Sequence, residues 1–295
     1  VGWWPVCCSW GAVFLRAGRA VGVVDPAADA EALRARTGGQ VAATAPAVAP
    51  GRLSVAVAVA ALSGCAYVQE SIAEDAPAKR ALFAELDHAL PADTIVASST
   101  SALCMSDLAA DLPGCARFVV AHPATPPHAL PCVEIVPAPF TAEGTVQRTE
   151  ALLSSIGQTP VRLAREVPGF VMNRLQGALL LAMIDLVREG VVTPAGADAL
   201  IRDGFGMRWA LLGPLEAVHL NAPGGIDDYF ARYRAMFEGF CPSGTRLDDL
   251  LTPQTRAALQ EYCLAETPLS RAQARRDRRD DALAALRTWR AERAV

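Results

Sequence analysis

The sequence predicts an α/β fold: a doubly wound, mainly parallel sheet followed by an all-helical C-terminal domain. Three observations carry this. Short β-branched runs alternate with helical patterns from residue 20 to residue 163, as in the strand–helix–strand units that build a parallel sheet. Two of these runs end in polar residues, Ser98-Ser99-Thr100-Ser101 after the first and His122 after the second. In an open parallel sheet, ligands sit outside the carboxyl ends of the strands. After Pro168 the strand signals stop, and every later pattern is helical.

The elements follow in order. From Ser9 the residues Trp10, Val13, Phe14 and Ala17 fall at the spacing of one helix face, and Gly18 closes that helix. Residues 20–24 form a strand ending at Asp25-Pro26, and a helix is expected over 27–36. Helix, tight turn, strand and terminal acid make the second half of a dinucleotide-binding unit, in which the acid accepts the ribose hydroxyls. Asp25 could equally cap the next helix, with Pro26 in its first turn. The glycine positions of such a unit hold Gly2, Trp4 and Cys7, so only the first is glycine. Trp4 and Cys7 are therefore expected to weaken any hold on a pyrophosphate.

Residues 37–51 read as a loop, and 53–62, alternating Val and Ala, fit strand or helix. Further strands are expected at 66–69, 93–97, 117–121, 133–136 and 159–163, and helices at 78–89, 105–112 and 141–156. The second domain is expected to begin with one long helix over 168–189, followed by helices to residue 202, over 215–220, 227–238, 253–265 and 271–293. This gives domains of residues 1–166 and 167–295.

Composition narrows the function classes. The chain has 295 residues, 52% hydrophobic and 20% charged, enough to bury a sizeable core. The net charge of -4 and the absence of a basic stripe argue against a nucleic-acid partner. The arginines of the C-terminal stretch alternate with Asp and Glu and read as a solvated helix face. Eight cysteines without C-x-x-C spacing and only four histidines argue against a metal site and for reduced thiols in a cytoplasmic protein. No apolar run reaches the ~18 residues of a membrane span, and no secretory signal is expected.

The chemistry concentrates between Ser98 and Glu134. Glu134 lies in the run after His122, close enough to fold back onto it. A carboxylate that holds a histidine fixes its tautomer and makes it a general base.

Five passages, YVQESIAED, SSTSALCMSDL, FVVAHPATPPHALPCVEIVP, VPGFVMNRLQ and GFGMRWALLGPLEAVHLN, resemble the 3-hydroxyacyl-CoA dehydrogenase superfamily, within it most nearly the lambda-crystallin / L-gulonate 3-dehydrogenase branch. The resemblance runs from Ser9 to the C-terminal tail. It implies a Rossmann-type domain binding NAD, then a helical substrate and dimerisation domain. His122 would be the catalytic histidine, Glu134 its carboxylate, Ser101 and Asn173 the groups that hydrogen-bond the substrate oxygen. Asp25 would hold the adenosine ribose, and Gly2, Glu74, Lys79 and Ser99 would face the cofactor. The implied reaction is oxidation of the 3-hydroxyl of a free 3-hydroxy acid or a 3-hydroxyacyl-CoA, in a homodimer. Two departures from the family pattern stand out. Thr125 occupies the position of an asparagine after His122-Pro123, and the glycine loop is degraded. The second points to the alternative of an inactive or structural relative that has lost the cofactor.

Overall fold

The computed structural model describes residues 4–25, 30–42, 52–241 and 246–293. The chain divides into two compact units, Val1–Leu180 and Leu181–Val295. The division falls within a helix that the sequence assigned whole to the second domain.

In the first unit the elements run α1 (Trp4–Arg16), β1 (Val21–Val24), α2 (Ala30–Ala42), β2 (Leu53–Ala56), β3 (Tyr67–Glu70), α3 (Ala76–Ala89), β4 (Ile95–Ser98), α4 (Met105–Ala109), β5 (Phe118–Pro123), β6 (Cys132–Val136), α5 (Glu143–Ser155), β7 (Thr159–Arg162) and α6 (Met172–Arg188). The ambiguous stretch 53–62 resolves into β2 and a short 3-10 turn, Val59–Leu62.

The first helix departs from expectation. It begins at Trp4, not Ser9. Pro5 does not prevent this, because a residue in a helix's first turn has no intrahelical acceptor for the N–H that proline lacks. The backbone at Trp4 and Cys7 is therefore helical rather than a phosphate-binding loop. The Cys7 side chain packs against Cys8, Val23 and Leu33. Gly2 lies outside the described residues. At its other end α1 stops as expected: Gly18 takes φ +74° and Arg19 N–H reaches back to Phe14 O at 3.0 Å, a turn that glycine adopts without a Cβ clash.

The strands form two sheets, one of order β1-β2 and one of order β3-β4-β5-β6-β7. All pairs are parallel except β5–β6, which is antiparallel and sets His122 directly opposite Glu134. Alternation along the central strands feeds two cores. Val96, Phe118 and Val120 pack with Phe83 and Leu86 of α3 on one face. Ile95, Ala97, Val119 and Ala121 pack with Trp10 and Val13 of α1 and with Val146 and Leu153 of α5 on the other. Helices on both faces explain why these strands read as near-continuous apolar runs.

The second unit is helical: α7 (Pro194–Ala199), a π-helical turn (Leu200–Phe205), α8 (Gly206–Trp209), α9 (Pro214–His219), α10 (Gly225–Arg232), α11 (Arg234–Phe240), α12 (Leu247–Leu250), α13 (Pro253–Glu266) and α14 (Ala272–Arg293). The helix expected over 227–238 is broken at Tyr233. Inside this unit His219 is buried, taking a hydrogen bond from Ile226 N–H and contacting Thr267 O at 3.0 Å. Arg275 pairs with Glu216 at 2.8 Å. Among the described residues no helix is long and apolar enough to cross a membrane.

Candidate active site

The carboxyl ends of β3, β4 and β5 meet at one cavity of about 290 Å³. Ser71 and Glu74 line it from the β3 end, Ser99 and Ser101 from the β4 end, and His122 and Thr125 from the β5 end. Three strands of a parallel array thus deliver polar side chains to the crevice where such sheets bind ligands.

His122 is 7% exposed, and its Nδ1 lies 2.7 Å from Glu134 Oε2. An ionised carboxylate only accepts hydrogen bonds, so this contact places the ring proton on Nδ1 and leaves the Nε2 lone pair free. Glu134 is itself held. Its Oε1 accepts from Val171 N–H at 2.8 Å and Met172 N–H at 2.9 Å, at the start of α6. Those two donors are presented by a tight turn in which Gly169 and Phe170 take φ +72° and +51°. A bulky residue in the left-handed region is a strained conformation. Phe170 is fully buried, with its ring centroid 5.6 Å from that of His122.

A second network shapes the floor. Glu70, the last residue of β3, accepts from Lys79 Nζ at 2.8 Å and Ile72 N–H on one oxygen, and from Ser98 Oγ on the other. Ser98 Oγ in turn accepts from Thr100 N–H. Beside this, Glu74 accepts from Thr100 Oγ1, Ser101 N–H and Ala102 N–H through one oxygen. Burial works to raise the Glu74 pKa, but the bonds from Thr100 and Ala102, the charge of Lys79 and the bond from Ser101 together hold it below its ordinary value. Ser99 Oγ accepts from Trp10 Nε1 and Gln69 Nε2 and contacts Ser71 Oγ at 2.9 Å. Gln69 also donates to Ala121 O, so one side chain ties β3, β4 and β5 together.

The structure places the expected residues as follows. His122, Ser101, Ser99 and Glu74 line one cavity, and Glu134 stands behind His122. Asn173 Nδ2 donates to Ser101 O at 2.6 Å, which spends one amide hydrogen on the backbone of the β4 turn. Asp25 closes β1, mostly buried, with its N–H bonded to Ala56 O. Lys79 requires a correction. It was expected to face the cofactor, but it is fully buried and its ammonium is committed to Glu70 and Ile72 O, with Glu74 at 3.6 Å. Its role is to hold the acids that hold the serine turn. Glu70 and Gln69 were missed, because the end of the YVQE run merged with the acidic stretch after it.

Replacing Lys79 by Met should leave the buried Glu70 side chain without its cation, both partners being 1% exposed. Removal of one member of a buried pair costs about 3–5 kcal/mol. A chemical-denaturation midpoint for Lys79→Met within error of the parent would show that the pair is not needed.

Polar and small residues line the crevice as a nicotinamide pocket requires, and Asp25 stands where a dinucleotide-binding strand carries its ribose acid. The glycine-loop positions fit poorly, Trp4 and Cys7 being helical. Among the described residues no group of three or more His, Cys, Asp or Glu could hold a metal ion.

A doubly wound sheet with a His–carboxylate dyad at its strand ends is the architecture of a nucleotide-dependent dehydrogenase domain. Comparison with known proteins agrees. Residues 6–167 match the model of the 3-hydroxyacyl-CoA dehydrogenase NAD-binding domain, and residues 169–251 match that of the 3-hydroxyacyl-CoA dehydrogenase C-terminal domain. The chain belongs to the 3-hydroxyacyl-CoA dehydrogenase family. It is 46% identical to the human (Homo sapiens) lambda-crystallin homolog over 173 residues, 59% of this chain and 54% of that protein. The chain thus spans about half the length of the lambda-crystallin relatives it matches. It is 35% identical to an L-carnitine dehydrogenase of Streptomyces coelicolor over 260 residues, 85% of this chain and 78% of the relative. Among solved structures, an NAD+-dependent dismutase, FHMPC 5-dehydrogenase, superposes with a TM-score of 0.72 at 26% identity, covering 95% of this chain and 94% of that one.

Proposed function

We propose that this chain oxidises the 3-hydroxyl of a small 3-hydroxy acid to a ketone with NAD, His122 acting as general base. The observation that carries the reading is the His122–Glu134 contact of 2.7 Å at the mouth of the strand-end cavity. Bound NAD would supply the hydride acceptor, held by Asp25 at the ribose and by the Ser71–Glu74 loop and Ser99 on the nicotinamide side.

The chain's own residues do the rest. Neutral His122 takes the hydroxyl proton on Nε2 as the C3–H bond yields its hydride. Glu134 faces the imidazolium that forms and stabilises it. The Ser101 hydroxyl donates to the substrate oxygen, and Asn173 holds Ser101 in place through its carbonyl. With Thr125 in place of an amide, that side of the cavity has a single hydroxyl donor.

A free hydroxy acid is favoured over a CoA ester by the likeness to relatives named for lambda-crystallin and L-carnitine dehydrogenase. The test is NADH formation with L-gulonate, L-carnitine and 3-hydroxybutyryl-CoA. Turnover of a free acid with NAD, and little with NADP, is expected, because the Asp25 carboxylate would repel a 2′-phosphate. Absence of turnover with all three would favour the alternative, a structural relative that has lost the cofactor through the altered positions Trp4 and Cys7.

The homodimer is part of the same proposal. Helix α6 carries no buried residue, and Leu175, Leu181 and Ile184 on it are 69%, 69% and 62% exposed. Apolar side chains this exposed, spread around the helix, mark an interaction surface. Light scattering at micromolar concentration should give twice the chain mass, and a monomeric mass would remove the dimer from the proposal.

A further inference from the structure

The chain enters α6 through a turn that closes on a strained residue. Phe170 N–H bonds to Val167 O at 3.0 Å, with Pro168 and Gly169 at the two corners. Proline suits the first corner, and Gly169 takes φ +72° at the second, as a type II turn requires. Phe170 follows at φ +51°, and among the described residues it is the only one other than glycine with a positive φ. Glycine would hold that backbone without strain, so the backbone alone does not call for a phenyl ring.

Two groups depend on this residue. The first is the acid. After the left-handed residue the chain turns into α6, and the Val171 and Met172 N–H groups converge on Glu134 Oε1 at 2.8 and 2.9 Å. Successive N–H groups at such a change of backbone hand form a concavity for an anion. Here they stand at the start of a 17-residue helix, where N–H groups lack intrahelical acceptors.

The second group is the base. Phe170 is fully buried, and its ring centroid lies 5.6 Å from that of His122, with 49° between the planes. Aromatic rings attract at this separation. Phe170 shares a core with Val120 of β5 and Val136 of β6, the strands that carry His122 and Glu134. The hydrogen bond from His122 Nδ1 to Glu134 fixes only one atom of the imidazole. The torsion that turns the imidazole plane is soft, so that bond by itself leaves the plane free to rock, and the direction of Nε2 with it. A buried ring packed on the imidazole removes that freedom.

We propose that Phe170 is a positioning residue of the oxidation. Its ring sets the plane of the His122 imidazole, and its left-handed backbone delivers the two N–H groups that hold Glu134. Phe170 does not line the strand-end cavity, and it acts through His122. The inference rests on the reading of His122 as general base and adds the residue that sets the geometry of that base.

The test joins steady-state turnover to nitrogen-15 NMR of the His122 ring in Phe170→Leu and Phe170→Gly. Leucine keeps an apolar side chain in the core but offers no flat face. Glycine relieves the backbone and removes the side chain. In the parent, Nδ1 should carry the ring proton. In both variants rocking loosens the contact with Glu134, so the signals should report a mixture of the two tautomers. The value of kcat should fall by about 10–10²-fold with KM little changed, the scale of a misplaced reacting group. A melting curve identifies the folded variants, and Phe170→Leu carries the test if Phe170→Gly does not fold. Unchanged ring-nitrogen signals in a folded variant, with or without loss of turnover, would overturn the proposal, and so would a parental kcat. The NMR measurement needs no turnover, and His122→Gln tests the base itself. Near-parental kcat in His122→Gln removes the underlying reading, whereas a large loss there with an unchanged imidazole in the Phe170 variants removes this proposal alone.

Discussion

His122→Gln should lower kcat by about 10²–10⁴-fold, the usual worth of a positioned general base, while leaving the fold intact. Glutamine is close in size and can donate from its amide to Glu134 Oε2, the oxygen now 2.7 Å from His122 Nδ1. The carboxylate therefore keeps a partner, and the buried position is not left with an unpaired charge. What the variant lacks is a group able to take the substrate proton. Steady-state turnover and a circular-dichroism melt on the same preparation separate the two effects. Near-parental kcat would remove His122 from the role of base.

The second large effect is expected from Glu134→Gln, which alters the tautomer rather than the base. Two backbone donors, Val171 N–H and Met172 N–H, point at Oε1 of residue 134. A glutamine there must turn its carbonyl oxygen to them, because its NH2 group would leave both unpaired. Its NH2 then faces His122 Nδ1. A donor at that position requires Nδ1 to accept, which moves the ring proton to Nε2 and blocks the atom meant to receive the substrate proton. The expected loss in kcat is about 10²–10⁴-fold, with KM changed little. A pH–rate profile checks the cause: activity close to parental at every pH would show that the Glu134 carboxylate does not set the imidazole's state.

The His122–Glu134 pair was legible because both of its members stand in apolar runs whose ends are easy to read. His122 terminates one β-branched stretch, and Glu134 interrupts the next, close enough to fold back onto it. The serine turn was legible for the same reason. The supporting network was not. Glu70 belongs to a strand by its backbone and to an acidic loop by its neighbours, and only the fold shows its carboxylate turned inward to Lys79 and Ser98. Lys79 was placed toward the cofactor by the resemblance, and its burial was unexpected because lysine is rarely buried. Asp75 caps α3 by accepting from Ala78 N–H, with Pro77 in the first turn, and this sets the helix phase that buries Lys79. The early start of α1 was hidden by Pro5, a residue that breaks helices everywhere except near their beginning. The break between the sheets was also beyond reach, since each strand of β1 and β3 looks complete by itself.

The antiparallel step between β5 and β6 has a consequence for how this family member could change. In an antiparallel pair, position numbers run in opposite directions, so every matched pair has the same sum, and His122 with Glu134 shares it with Val120 and Val136. The pairing of acid and histidine is thereby carried by the ladder, and the side chains of the joining residues take no part in it. Residues 124–131 can exchange side chains around Thr125 without shifting which acid meets the histidine, whereas a change in their number acts on the register itself. Under the proposed function, substrate preference at that edge of the cavity can drift while the His122–Glu134 pair stays in place. Directed variation of that segment, with both strands left untouched, is the economical route to a new substrate.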